Sequence, residues 1–347
     1  MLIFSAPLPL FSARVVPRLQ ALSEENTPMS ELVIASQMDA SFNQALREQL
    51  ARRHPGARLI DVPNGVPSDL PPAASVLLGR PINVRGYQAG DTPPPGWPYN
   101  LRWIQVVSSG LDAYPDWFFA GPPVSTARGS ASDPIAEYVL AAIFAYNKHL
   151  PDIWVQDADW QFTALTPVQG QTLGLLGFGS IGSSLARKAQ ALGLKVITLR
   201  QSATPPDVEG VQTARDIHHL FSAADHLVVA APLTPQTRHL INAKVLASAK
   251  PGQHLINIAR GGLLDQDALL DALDHGSLGF ATLDVTEPEP LPAGHRLYSH
   301  PKVRLSPHTS AISTQTGEAI RAIFLENLQR FLDQQPLVNL ADRSRGY

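Results

Sequence analysis

From position 32 onward the chain alternates short apolar runs with helical or Pro-rich stretches. Leu32–Ala35, Arg58–Ile60, Ser75–Leu78, Trp103–Val107 and Val124–Ala127 read as buried strands. Ser41–Arg53 places Phe42, Ala45, Leu46, Gln49 and Leu50 at helical spacing behind a Ser41 cap. Pro63–Pro72 and Asp91–Pro98 are rich in Pro and Gly and read as irregular surface connections. A second block opens at Thr172, with strands predicted at Thr172–Leu176, Lys195–Leu199, His226–Ala230, His254–Ile258, Phe280–Val285 and Val303–Leu305. Helices are predicted between them, as at Ile181–Leu192 and Asp265–His275. Asp133–Asn147 reads as a long helix leaving the first block, and Ser313–Gln335 as a final helix returning to it.

Strand and helix in strict alternation imply parallel sheets covered on both faces. The expected fold class is α/β, with two Rossmann-like or flavodoxin-like domains and a ligand cleft between them. One domain is expected from 29–135 plus 311–347 and the other from 136–310. Residues 1–28 fall outside both blocks and are expected to be a disordered extension, since the first strand begins just after Met29. Met1–Leu10 has no charge ahead of its apolar part and so makes a poor secretory signal, although Arg14 and Arg18 give a faint transit-peptide look.

Composition narrows the class. With no cysteine there is no disulfide framework, thiolate metal site or cysteine nucleophile, which fits a cytoplasmic setting. The net charge is -3 with no cluster of Lys or Arg, which argues against nucleic acid or an anionic membrane as partner. Tyr138–Tyr146, the most apolar helical stretch, is too short to span a bilayer and reads as a core helix. No metal site is expected: no H-E-x-x-H occurs, and His218 and His219 point different ways on a helix. A serine hydrolase is disfavoured because no G-x-S-x-G elbow is present.

Gly177-Phe178-Gly179-Ser180-Ile181-Gly182 is a G-x-G-x-x-G run between an apolar strand and an Ala/Leu-rich helix, the context a dinucleotide site needs. Gly177 permits the tight turn, Gly179 lets backbone approach a pyrophosphate, and Gly182 lets the helix pack closely. The helix N-terminus offers free N–H groups to the phosphates. Where an NAD-preferring site carries Asp or Glu after the next strand, this chain has Arg200, then Gln201 and Ser202. An arginine pairs with a 2′-phosphate that a carboxylate repels, so NADP(H) is expected ahead of NAD(H).

Six segments together carry a specific resemblance. They are Val107–Asp112 (VSSGLD), the glycine run, Pro232–Arg238 (PLTPQTR), Asn257–Gly262 (NIARGG), Asp284–Pro290 (DVTEPEP) and Ser306–Thr309 (SPHT). The chain resembles the D-isomer-specific 2-hydroxyacid dehydrogenases, which include glyoxylate and hydroxypyruvate reductases. The resemblance covers nearly everything beyond Ser30. It implies a catalytic Arg260, Glu289 and His308, with Glu287 off the catalytic position in its motif. It further implies Pro232, Thr237, Ala259 and Asp284 along the cofactor, Asp284 at the nicotinamide carboxamide. Backbone N–H groups of Ser109 and Gly110 would hold the substrate carboxylate, with Arg80 as an added positive group and Trp103 in the pocket wall. A homodimer is also implied.

The chemistry suits those residue types. A 2-keto acid offers a carboxylate beside a carbonyl, and the planar fork of Arg260 can bind the one and polarise the other. His308 would give the proton to the developing oxyanion, and Glu289 would stabilise the protonated imidazole. Alternatives within reach are a phosphite-type dehydrogenase of the same family and a dinucleotide-sensing, corepressor-like binding protein. A formate-type enzyme is disfavoured, since those carry glutamine where Glu289 stands.

Overall fold

The structure, a computed structural model, describes residues 32–83, 88–158, 160–202 and 204–347. The extension expected at 1–28 lies outside the described residues.

The first unit runs β1 (Leu32–Ser36), α1 (Ala40–Arg53), β2 (Ala57–Asp61), β3 (Ala74–Gly79), β4 (Trp103–Val106) and β5 (Val124–Ser125). Its sheet has the order β2-β1-β3-β4-β5, every pair parallel. Successive strand residues point to opposite faces, and both faces are covered. Val33, Ala35, Leu77 and Ile104 pack beneath Trp117 and Phe118. Ile34, Val76, Leu78 and Trp103 pack beneath Phe42 and Leu46 of α1. Burial on both sides explains why these strands are continuously apolar.

The helix cap differs from expectation. Asp39 caps α1, its Oδ1 accepting from Phe42 N–H at 2.9 Å, and Ser41 Oγ donates to the same oxygen. Ser41 is therefore inside the helix, and the carboxylate two residues earlier makes the stronger acceptor.

The second unit follows α2 (Ser132–Asn147). It comprises β6 (Thr172–Leu176), α3 (Ser180–Ala191), β7 (Lys195–Leu199), β8 (Gln212–Thr213), α4 (Ile217–Ala223), β9 (His226–Val229), α5 (Ala243–Leu246), β10 (His254–Asn257), α6 (Gln266–Asp274), β11 (Phe280–Leu283) and β12 (Val303–Leu305). The order is β12-β11-β10-β9-β6-β7-β8, again all parallel. Chain order reverses at β6, which has β7 on one side and β9 on the other; ligands of open α/β sheets bind at such a switch point. Ile135, Val139 and Ile143 of α2 pack with α3 on one face, and α4, α5 and α6 cover the other.

The last helix, α7 (Thr316–Leu332), leaves the second unit and packs on the first. It is shorter than Ser313–Gln335, because Ser313 Oγ accepts from Gln315 and Thr316 in a turn that precedes it. Trp103 stacks on Phe324 of α7 at 5.3 Å and donates to Ser125 Oγ. It is fully buried core, so the expectation that it lines a pocket is corrected.

At the amino-terminal edge of the second sheet, His226 and His254 face each other with 3.4 Å between Nδ1 atoms, both fully buried. His226 Nε2 donates to Gln171 Oε1, which leaves its Nδ1 to accept from His254; His254 Nε2 then accepts from Thr282. With both rings neutral every one of these bonds is made. Burial pushes His226 down to about 4 and His254 well below its ordinary value.

Candidate active site

Arg260, Glu289 and His308 are far apart in sequence but follow β10, β11 and β12, three adjacent strands ending on one edge. Parallel pairing therefore converts sequence distance into proximity.

Each turn is built by local contacts. Beyond β10, the buried Asn257 side chain accepts from Ala259 N–H and donates to the Arg260 carbonyl. A Cβ on Gly261 would overlap the Thr286 carbonyl and stand 2.5 Å from Glu287 N, so only glycine lets the β10 and β11 turns touch. Beyond β12, His308 takes φ +54°, and its N–H donates to the Asp284 carbonyl at 2.9 Å.

His308 Nδ1 lies 2.9 Å from Glu289 Oε2, and Glu289 Oε1 accepts from Thr286 N–H at 3.0 Å. Among the described residues His308 Nε2 has no protein partner. Partial burial works to raise the Glu289 carboxyl, but the His308 bond, the Thr286 N–H and the Arg260 charge outweigh it and hold it below its ordinary value. Glu287 points elsewhere, into a two-pronged pair with Arg238 at 2.8 and 3.0 Å.

Asp284 is 1% exposed and its carboxylate is occupied. Oδ1 accepts from Ser306 Oγ and Thr309 N–H, and Oδ2 from Ser310 N–H. Tyr138 of α2 donates to Ser306 Oγ at 2.6 Å and extends this chain. Burial opposes the charge, and the three bonds more than compensate, so the carboxyl sits below its ordinary value. In this arrangement Asp284 anchors the loop that carries His308.

Arg260 is held from the first unit. Its Nε and Nη2 donate to the two Asp112 oxygens at 2.8 and 3.0 Å, and Nη1 donates to Ala259 O at 2.7 Å. The neighbouring loop is pinned by Ser108 Oγ donating to Gly110 O, and by Tyr114 donating to Ser108. Among the described residues the N–H groups of Ser109 and Gly110 donate to no protein acceptor. Arg80 follows β3 with its N–H on Gln37 Oε1; its guanidinium forms no hydrogen bond or ion pair among the described residues.

The glycine run caps α3 beyond β6, at the switch point. Gly177 has φ +99°, and a Cβ there would stand 2.7 Å from Ala230 O. At Gly179, which caps the helix, a Cβ would meet nothing within 4 Å, so its backbone faces open space. At Gly182 a Cβ would press the Phe178 ring at 3.2 Å. Arg200 lies 5.9 Å from the Phe178 ring centre, with no carboxylate partner among the described residues. Ser202 Oγ accepts from Thr204 N–H. Thr237 closes its own turn, donating to Pro232 O and accepting from Thr234 N–H. A glycine cradle and a free helix start together fit a dinucleotide.

Asp112, Tyr114, Tyr138 and Ser306 were not singled out from sequence. Asp112 and Ser306 had a visible signal there, as the last residue of the VSSGLD segment and the first of SPHT.

The model for the NAD-binding domain of D-isomer specific 2-hydroxyacid dehydrogenases matches residues 140–310. The chain is 38% identical over 215 residues to (S)-sulfolactate dehydrogenase of Chromohalobacter salexigens, covering 60% of this chain and 70% of that protein. It is 32% identical over 260 residues to glyoxylate/hydroxypyruvate reductase A of Serratia proteamaculans, covering 71% and 80%. A D-isomer specific 2-hydroxyacid dehydrogenase from Xanthobacter autotrophicus, solved in complex with NADPH and MES, has a TM-score of 0.76 at 27% identity, covering 91% of this chain and 100% of that one. The chain therefore belongs to the D-isomer specific 2-hydroxyacid dehydrogenases, NAD(P)-dependent oxidoreductases built of two parallel-sheet α/β domains.

Proposed function

We propose that this enzyme reduces a small 2-keto acid of the glyoxylate or hydroxypyruvate kind to the D-2-hydroxy acid, with NADP(H) preferred over NAD(H). The observation that carries the reading is the His308–Glu289 pair, with Nδ1 held at 2.9 Å and Nε2 left for a substrate oxygen. The cofactor, when bound on the glycine cradle, supplies the hydride. His308 Nε2 gives its proton to the carbonyl oxygen as charge develops there, and the ionised Glu289 stabilises the imidazolium in the reverse direction. Arg260 and the N–H groups of Ser109 and Gly110 take the substrate carboxylate. Asp284 acts by holding the His308 loop. The substrate-binding part is assigned to 29–135 plus 311–347 and the cofactor part to 136–310. Arg200 and the NADPH complex of the Xanthobacter enzyme support the coenzyme preference, and the glyoxylate/hydroxypyruvate reductase relative supports the substrate class.

Arg80, whose guanidinium has no partner among the described residues, favours a second substrate class, a 2-keto acid with a distal anion, in line with the sulfolactate dehydrogenase relative. A homodimer is proposed on the exposed apolar residues Trp154, Val155, Trp160 and Phe162, which lie within nine positions of one another and which a monomer would leave in water. The test follows NADPH and NADH oxidation with glyoxylate, hydroxypyruvate, pyruvate, phenylpyruvate and 3-sulfopyruvate. Reduction of one of these that collapses in His308→Ala supports the reading; tight NADPH binding with no turnover sinks it and favours a sensing protein.

A further inference from the structure

Arg260 is held from the other unit. It follows β10 of the second unit, whereas Asp112 lies on the loop after β4 of the first, 148 positions away. A guanidinium carries five N–H donors in one rigid plane. Two of them go to Asp112 and one to Ala259 O. One N–H on each terminal nitrogen is left, a matched pair for a carboxylate. A fork held through all three of its nitrogens cannot turn out of its plane.

The loop is shaped to receive that fork. A Cβ on Gly110 would overlap Arg260 Nη2 and stand 2.7 Å from Asp112 Oδ1, so the arginine lies directly on the Gly110 backbone. The same loop offers the unbonded N–H groups of Ser109 and Gly110. It is tied by Tyr114 and Ser108, and by Ile82 and Asn83 donating to Ala113 O. Two-pronged, in-plane ion pairs with a largely covered arginine orient it far better than exposed single contacts do. Burial works to raise the Asp112 carboxyl, and the Arg260 bond and charge more than offset this, so it stays ionised.

We infer that Asp112 is the positioning residue for Arg260: reaching from the first unit, it fixes the plane of the guanidinium so that the remaining N–H pair meets the substrate carboxylate only while the two units are together. This rests on the function proposed above. It differs from a reading in which Asp112 merely occupies the substrate's place on the arginine, because that reading requires its removal to speed turnover.

The test uses the full chain with Asp112→Asn, Asp112→Glu and Asp112→Ala. Phenylglyoxal modification of Arg260, located by peptide mass, reports whether the fork is free. NADPH titration reports the cofactor site, and steady-state reduction of the best keto acid separates kcat from KM. Expected for Asp112→Asn and Asp112→Ala are faster Arg260 modification, a kcat lower by roughly tenfold to a hundredfold, and unchanged NADPH binding, with part of kcat recovered in Asp112→Glu. Unchanged modification, or a kcat equal to or above wild type, overturns the inference while leaving the function intact. A wild type that reduces no keto acid overturns both.

Discussion

Gly261 and Thr286 are in backbone contact so close that no side chain fits between them. Thr286 N–H is also the donor that fixes Glu289 Oε1, so stability and site geometry meet at this point. In Gly261→Ala the turn beyond β11 must shift. Overpacking of this kind costs roughly 1–3 kcal/mol, and thermal denaturation should show a Tm lower by several degrees together with a reduced kcat.

His308→Ala removes the proposed proton donor and should lower kcat by about a hundredfold to ten-thousandfold, with NADPH binding unchanged by titration. Glu289→Gln keeps the shape but loses a charge-assisted bond worth about 1.5–3 kcal/mol, so kcat should fall by roughly tenfold to a hundredfold. Glu287→Gln, which touches Arg238 instead, should leave kcat near wild type in the same assay.

Arg200→Asp exchanges a cation for an anion at the end of β7. The ratio of kcat/KM for NADPH over NADH should fall by about a hundredfold. An unchanged ratio would show that the 2′-phosphate is not read at this position.

Acid should weaken the fold through the His226–His254 pair. Both rings are neutral when folded, with His226 at about 4 against 6.5 when free. The unfolded chain therefore binds protons more readily, and stability present above pH 6.5 is lost as pH falls toward 4. For His226 alone the loss approaches about 3 kcal/mol. Urea titrations at pH 7 and pH 5 should show the drop, and His254→Asn should shrink it.

The strand core was legible because two-sided burial writes itself as unbroken apolar runs, as in Leu32–Ala35 and His254–Ile258. β8 was not: it is two exposed polar residues, and only edge pairing with β7 makes it a strand. Asp39 and Ser41 are both cap formers two positions apart, so local sequence alone could not place the helix start. Spacing could not separate Glu287 from Glu289; the resemblance assigned Glu289, and the structure puts it against His308. Burial of Trp103 under α7 depends on a helix more than 200 positions away, and the Asp112–Arg260 pair on a loop from the other unit. Such contacts leave no periodic trace.

The chain passes between its two units twice, once between β5 and α2 and again between β12 and α7. Two covalent crossings leave a hinge little freedom beyond rotation about the line that joins them. His308 and Glu289 both belong to the second unit, whereas Arg260 and Asp112 pair across the two units. On the function proposed above, the proton donor is thus assembled within one unit, whereas the anion receptor needs both.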